Sequence, residues 1–332
     1  MRTLFILTAV STLLIGCSGE RSQPIQRIDS STVAASAYPE TQTQTTRMTI
    51  PTFSGTRAFD YLVKQTSFGP RNPNSAGHRA CLRYLTSTLQ NFADRTEAQE
   101  FVHDGYGNEK LRLTNLIAAF RPQAATRILL CAHWDTRPRA DRDENNSRRN
   151  DPMIGANDGA SGVAVLLEIA GLLQSAPPPV GIDIVLFDGE DYGKEGDRDR
   201  YLLGSKYFAE HGHGKYVPRF GILLDMIGDR ELEIPKEQNS LRFAPDIVQL
   251  LWNTARELGV TQFVDEVGDE VLDDHWPLNA AGIKTIDLID FNYPDRTNRF
   301  WHTHQDIPEN CSAESLEAVG AVLTHVIYTQ TP

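Results

Sequence analysis

His133, Asp158, Asp191, Asp225 and His302 recur just past apolar runs, and Glu190 stands beside Asp191. Imidazole nitrogen and carboxylate oxygen are the donors zinc takes, and a catalytic zinc site keeps one position open for water or substrate. Glu190 is then an additional carboxylate suited to act as a base. The set points to a metalloenzyme. Each residue also has a plainer reading. An Asp just before a helix is commonly an N-cap, which would account for Asp158. Asp188 and Asp191 could form a polar turn, and an isolated histidine is commonly structural. Asp225 resists such a reading, because Leu223-Leu224-Asp225-Met226-Ile227 sets a carboxylate among apolar neighbours. Burying it there is costly unless it is paired or bound to a metal.

These residues need elements that bring them together. Apolar spacing predicts helices over 56–65 and 77–90 and a strand over 111–120. From Arg127 onward, short apolar runs alternate with amphipathic stretches. Strands are expected at 128–132, 182–187, 220–224 and 283–289, with helices at 162–173, 205–211, 245–258 and 313–328. Such alternation implies an α/β fold, one domain with a central, twisted, mostly parallel (mixed) sheet flanked by helices on both faces. In that fold His133, residues 188–191 and Asp225 each follow a strand, where loops converge at the carboxyl edge of the sheet. Asp158 falls in the glycine-rich loop Gly155-Ala156-Asn157-Asp158-Gly159, and His302 in a late loop after the 283–289 strand. The aromatics Trp134, Tyr192, Trp276, Phe291, Phe300 and Trp301 fall in the same loops, and most are expected to be core.

The 332 residues carry a net charge of −12 and are 40% hydrophobic. An ordinary core is therefore available, and the acidic balance argues against nucleic acid as a partner. Arg2, the apolar stretch 4–15 and the ending Leu14-Ile15-Gly16-Cys17 form a secretion signal too short to span a bilayer. The ending resembles a bacterial lipobox, so residues 1–17 are expected to be removed up to a lipidated Cys17. That implies an envelope protein on the periplasmic side, anchored at the outer membrane, with membrane contact through the lipid alone. Residues 18–49, rich in Ser, Thr, Gln and Ala, read as a tether, and 50–332 as the catalytic domain. Cys81, Cys131 and Cys311 leave an odd count, with one bridge allowed and no pairing specified.

His133-Trp134-Asp135, Gly155-Ala156-Asn157-Asp158, Glu190-Asp191, Leu224-Asp225 and Trp301-His302-Thr303 occur in the order of the M28 zinc aminopeptidase superfamily. Within it the chain most resembles the animal-type glutaminyl-peptide cyclotransferases and their bacterial lipoprotein relatives. Phe187-Asp188-Gly189-Glu190-Asp191, Leu203-Gly204-Ser205, Asp273-Asp274-His275 and Trp301 carry that finer likeness. The resemblance implies one zinc held by Asp158, Asp191 and His302, with Glu190 as general base and then acid. It also implies an acidic network of Asp225 and Asp273, a pocket wall at Trp301, and His133 retained beside the one-metal site. Asp273 could instead only cap a turn. The implied substrates are peptides or proteins with N-terminal glutamine, converted to pyroglutamate with release of ammonia. Two features depart from the pattern: Asp191 stands where animal cyclases have Glu, and residues 194–201 form a charged insertion. The rival expectation is a two-zinc aminopeptidase using His133 and Asp225 for a second zinc and Asp158 as the bridge. A non-catalytic relative would be expected to lack a ligand or the base, and none is missing.

Overall fold

The computed structural model describes residues 49–211 and 217–332; the signal, lipobox and tether expectations lie outside them. Helices α1 (Gly55–Thr66) and α2 (Ala76–Phe92) begin at Ser54 and Ser75, whose side chains accept from backbone N–H groups of the first turn. Strands β1 (Arg95–Asp104) and β2 (Lys110–Phe120) follow as an antiparallel pair. Next come β3 (Arg127–His133), α3 (Ser161–Ser175), β4 (Gly181–Phe187), α4 (Leu203–His211) and β5 (Gly221–Asp225). Then follow β6 (Ile234–Lys236), α5 (Gln238–Phe243), α6 (Pro245–Leu258), β7 (Phe263–Val267), α7 (His275–Ala280), β8 (Thr285–Ile289) and α8 (Ala313–Thr329).

The main sheet has six strands in the order β1-β2-β4-β3-β5-β8. β4, β3, β5 and β8 run parallel, and β2 joins β4 antiparallel, so the sheet is mixed as expected. Side chains alternate across it with period two. Leu130, Ala132, Ile184, Leu186, Ile222 and Leu224 face a core shared with α1, α2, α3, α6 and α8. Leu129, Cys131, Val185, Phe187 and Leu223 face the other side, where Phe208 of α4 and Leu278 of α7 cover them. Cys81, Cys131 and Cys311 are buried free thiols, so the bridge allowed by the sequence is not formed among them. No helix among the described residues is long and apolar enough to cross a membrane.

Register brings the chemistry to one rim. His133 pairs with Phe187, and Asp225 with Ile289, so the two candidate donors end β3 and β5 themselves. The expected strands stopped one residue short of both. β1, β6, β7, α5 and α7 were not anticipated. β1 is an edge strand whose residues are half-buried or exposed, without the apolar alternation that marks a buried face. α5 and α7 are six residues each, too short to display a helical period.

Candidate metal centre

α3 begins after Ala160 and has no side-chain cap, so Asp158 is not an N-cap. Its carboxylate instead points to two histidines, Oδ1 lying 3.2 Å from His133 Nε2 and Oδ2 3.6 Å from His302 Nε2. Gly159, at φ +102°, lets the loop pass here, since a Cβ would sit 2.3 Å from the Asp135 carbonyl oxygen. His302 itself has φ +57°, a left-handed conformation that a histidine keeps only when its surroundings impose it.

Asp158, Asp191 and His302 are buried, and one donor atom from each lies within 4.8 Å of the others. His302 Nε2 is 3.4 Å from Asp191 Oδ2, an oxygen with no hydrogen-bond partner among the described residues. Two donors roughly 2.1 Å from a tetrahedral zinc stand about 3.4 Å apart. Charge agrees with distance. Burial and the charges of Asp158 and Asp135 raise the Asp191 carboxyl well above its ordinary range despite Arg137. Burial, then the positive Arg137 and Arg142, holds His302 well below its usual value, keeping the neutral ring that a metal requires. A divalent cation would relieve the crowded carboxylates, and the donor set fits zinc.

A second group adjoins the first: His133, Asp158 and Asp225 also form a potential metal-binding trio. His133 Nε2 lies 3.1 Å from Asp225 Oδ1. Burial opposes charge on His133, but Asp135, Asp158 and Asp225 together raise it well above its ordinary value. Asp225 is raised to about 7, chiefly by burial, with Asp273 and Asp158 adding repulsion against His133.

Glu190 is the more open member of the site, partly exposed beside buried Asp191. Its carboxyl is raised well above the ordinary value by burial and by Asp191, Asp273 and Asp274, with His133 opposing. Asp273 is buried and also raised, burial being the main cause. One of its oxygens accepts from the Asp274 N–H at 2.5 Å, and the other has no hydrogen-bond partner among the described residues. The structure thus brings Asp273 into electrostatic range of both Glu190 and Asp225. Trp301 stacks on the His302 ring at 3.7 Å, meets Phe291 edge-on at 4.9 Å and stays partly exposed. Trp134 is fully buried against His78, whereas Trp276 is 36% exposed and departs from the core expectation.

Asp188 is not a donor here. It binds His78 at 2.9 Å and the Thr114 N–H at 2.7 Å. Gly204 of Leu203-Gly204-Ser205 packs against it, with room for no Cβ beside the Asp188 backbone nitrogen at 2.6 Å. Four residues given no role from the sequence support the centre: Asp135, Arg137, Asp141 and Asp306. Asp135 accepts from the backbone N–H groups of Glu190 and Asp191 at 3.0 and 3.4 Å. Their sequence signal was adjacency, since all four follow His133 or His302 closely.

The profile of peptidase family M28 matches residues 115–327, which include every residue of both donor groups. The chain belongs to peptidase family M28. The crystal structure of a Bacteroides thetaiotaomicron glutaminyl cyclase bound to N-acetylhistamine is 40% identical. It aligns with 85% of this chain and 100% of its own, at a TM-score of 0.81. A Zn-dependent exopeptidase from Parabacteroides distasonis is 39% identical over 85% of this chain and 100% of its own, at a TM-score of 0.82. Aminopeptidase YwaD of Bacillus subtilis is 23% identical across 83% of this chain, which spans 57% of that longer protein.

Proposed function

We propose that this M28 protein is a zinc-dependent glutaminyl-peptide cyclotransferase. The observation that carries the reading is 40% identity over the full length of a glutaminyl cyclase. Trp301 standing against the donor His302 supports it. In the proposed reaction the α-amine of an N-terminal glutamine bonds to its own γ-carboxamide carbon, the C–N bond to the amide nitrogen breaks, and ammonia leaves. Zinc held by Asp158, Asp191 and His302 would polarise the γ-carbonyl and stabilise the negative charge on its oxygen.

The protein's own groups do the rest. The nucleophile is tethered to its electrophile, so the obstacles are proton transfer and a poorly electrophilic amide. Glu190 takes the proton from the amine and returns it to the departing nitrogen. Asp225 and Asp273 share protons, because crowded buried carboxylates do not all ionise, and they orient the substrate ammonium. His133 bridges Asp158 and Asp225, fixing both, and Trp301 walls the pocket. Incubation with a glutaminyl dipeptide and mass analysis tests the proposal: loss of one ammonia supports cyclisation, and release of free amino acids opposes it.

The His133, Asp158 and Asp225 trio favours a second reading, a two-zinc aminopeptidase in which Asp158 bridges the metals and Glu190 activates water. Metal content separates the two. The proposed setting is the bacterial cell envelope, with Cys17 lipidated at the outer membrane. Cys17→Ser should release the protein from membranes, and a variant that stays bound would contradict the anchor.

A further inference from the structure

Neither the charged 194–201 insertion nor Arg137 takes part in the chemistry above, yet Tyr201 of that insertion meets the buried Arg137 guanidinium. Arg137 is 1% exposed and uses all three of its nitrogens. Nε and Nη2 grip the two oxygens of Asp141 at 2.9 and 2.6 Å. Nη1 donates to Asp191 Oδ1 at 2.5 Å and reaches the Asp191 carbonyl at 3.4 Å. Nη2 also donates to the Tyr201 hydroxyl at 3.0 Å, with the Tyr201 ring 5.5 Å from the guanidinium carbon. Asp141 Oδ1 in turn lies 3.8 Å from His302 Nδ1, the ring nitrogen opposite the one that faces Asp158 and Asp191.

We infer that Arg137 is a positioning residue that sets two of the three zinc donors, Asp191 directly and His302 through Asp141, and that the 194–201 loop seals it with Tyr201. The guanidinium occupies one oxygen of Asp191 and leaves Oδ2 as the oxygen available to a metal. With Asp135 on its N–H and Arg137 on its carbonyl and Oδ1, Asp191 has little freedom left. That suits a side chain one methylene shorter than glutamate, whose reach depends on backbone placement. Asp141 sets a carboxylate 3.8 Å from the second nitrogen of the ligand histidine, beyond hydrogen-bond distance, so it favours a proton on Nδ1 electrostatically and leaves Nε2 for the metal. Lysine could not replace the fork, since a point charge cannot address Asp141 bidentately, Asp191 and Tyr201 together.

The inference rests on the zinc reading of the donors, not on which M28 reaction follows. The full chain, Arg137→Met, Arg137→Lys and Asp141→Asn are stripped, reloaded and titrated with a competing chelator, and their cobalt-substituted absorption spectra compared. Arg137→Met should lose zinc affinity by roughly 10- to 100-fold and shift the cobalt spectrum. Arg137→Lys should recover only part of the affinity, and Asp141→Asn should shift the spectrum through His302. Should Arg137→Met fail to fold, the other two variants carry the test. Folded variants that bind zinc as tightly as the parent, with its cobalt spectrum, overturn the inference alone. A parent chain with no zinc affinity overturns the zinc reading and this inference together.

Discussion

The carboxylate of Asp306 holds the backbone N–H of Asp158, Oδ2 to N, at 3.1 Å. Its other oxygen accepts from the Asn157 N–H at 2.7 Å and from the Tyr293 hydroxyl at 3.1 Å. A residue on the His302 loop thereby fixes the loop that presents Asp158, so two proposed zinc donors distant in sequence share one anchor. Asp306 is fully buried. Replacing it with Ala leaves two buried N–H groups unpaired, at a cost of about 1–3 kcal/mol each. Urea unfolding should show Asp306→Ala less stable by that order, with weaker zinc binding. Unchanged stability and affinity would remove Asp306 from the account.

Glu190 is assigned to proton transfer and not to metal binding. Glu190→Gln should therefore keep its zinc while turnover of a glutaminyl peptide falls by roughly 10²–10⁴-fold. Metal analysis beside steady-state kinetics checks both halves. Full activity, or lost zinc, would contradict the assignment.

Asp158→Ala and His302→Ala should each lose most bound zinc, since each removes one of the three proposed protein donors. Equilibrium dialysis followed by metal analysis gives the answer directly. Zinc content equal to that of the parent would show that the ion sits elsewhere.

Acid stability has a further source at Glu237, which is not among the candidate metal donors. Burial would raise the Glu237 carboxyl, but His275 and the N–H groups of Asn239 and Ser240 outweigh it and hold the value down to about 2 from an ordinary 4.5. A depressed carboxyl contributes stability that is complete above its unfolded value and is lost as pH falls through its folded value. Glu237 should therefore add about 3 kcal/mol at neutral pH, disappearing between about pH 4.5 and 2. Urea unfolding of Glu237→Gln across that window should show lower stability at pH 7 and a flatter acid decline. Parallel pH profiles for the two proteins would refute this.

The parallel strands were legible because each is a continuous apolar run, and the positions of His133, Asp191 and Asp225 after those runs placed them at one rim. Asp158 and His302 were legible only through neighbouring residues, since neither a loop aspartate nor a loop histidine has a period to reveal it. β1 was missed because an edge strand with exposed Glu and Arg side chains carries no buried face. Arg137 and Asp306 were missed for a different reason. Their work depends on contacts 54 and 148 residues away in the chain, to Asp191 and Asp158, which pattern along the sequence does not encode.

The most direct test of the account is to strip the protein with a chelator, add zinc stepwise and follow ammonia release from a glutaminyl dipeptide at each step. Activity should return in proportion to added metal and level off at one zinc per chain, with pyroglutamyl product and no free amino acids. Cyclisation that persists without metal, or activity that needs two zincs and yields cleaved dipeptide, would contradict it.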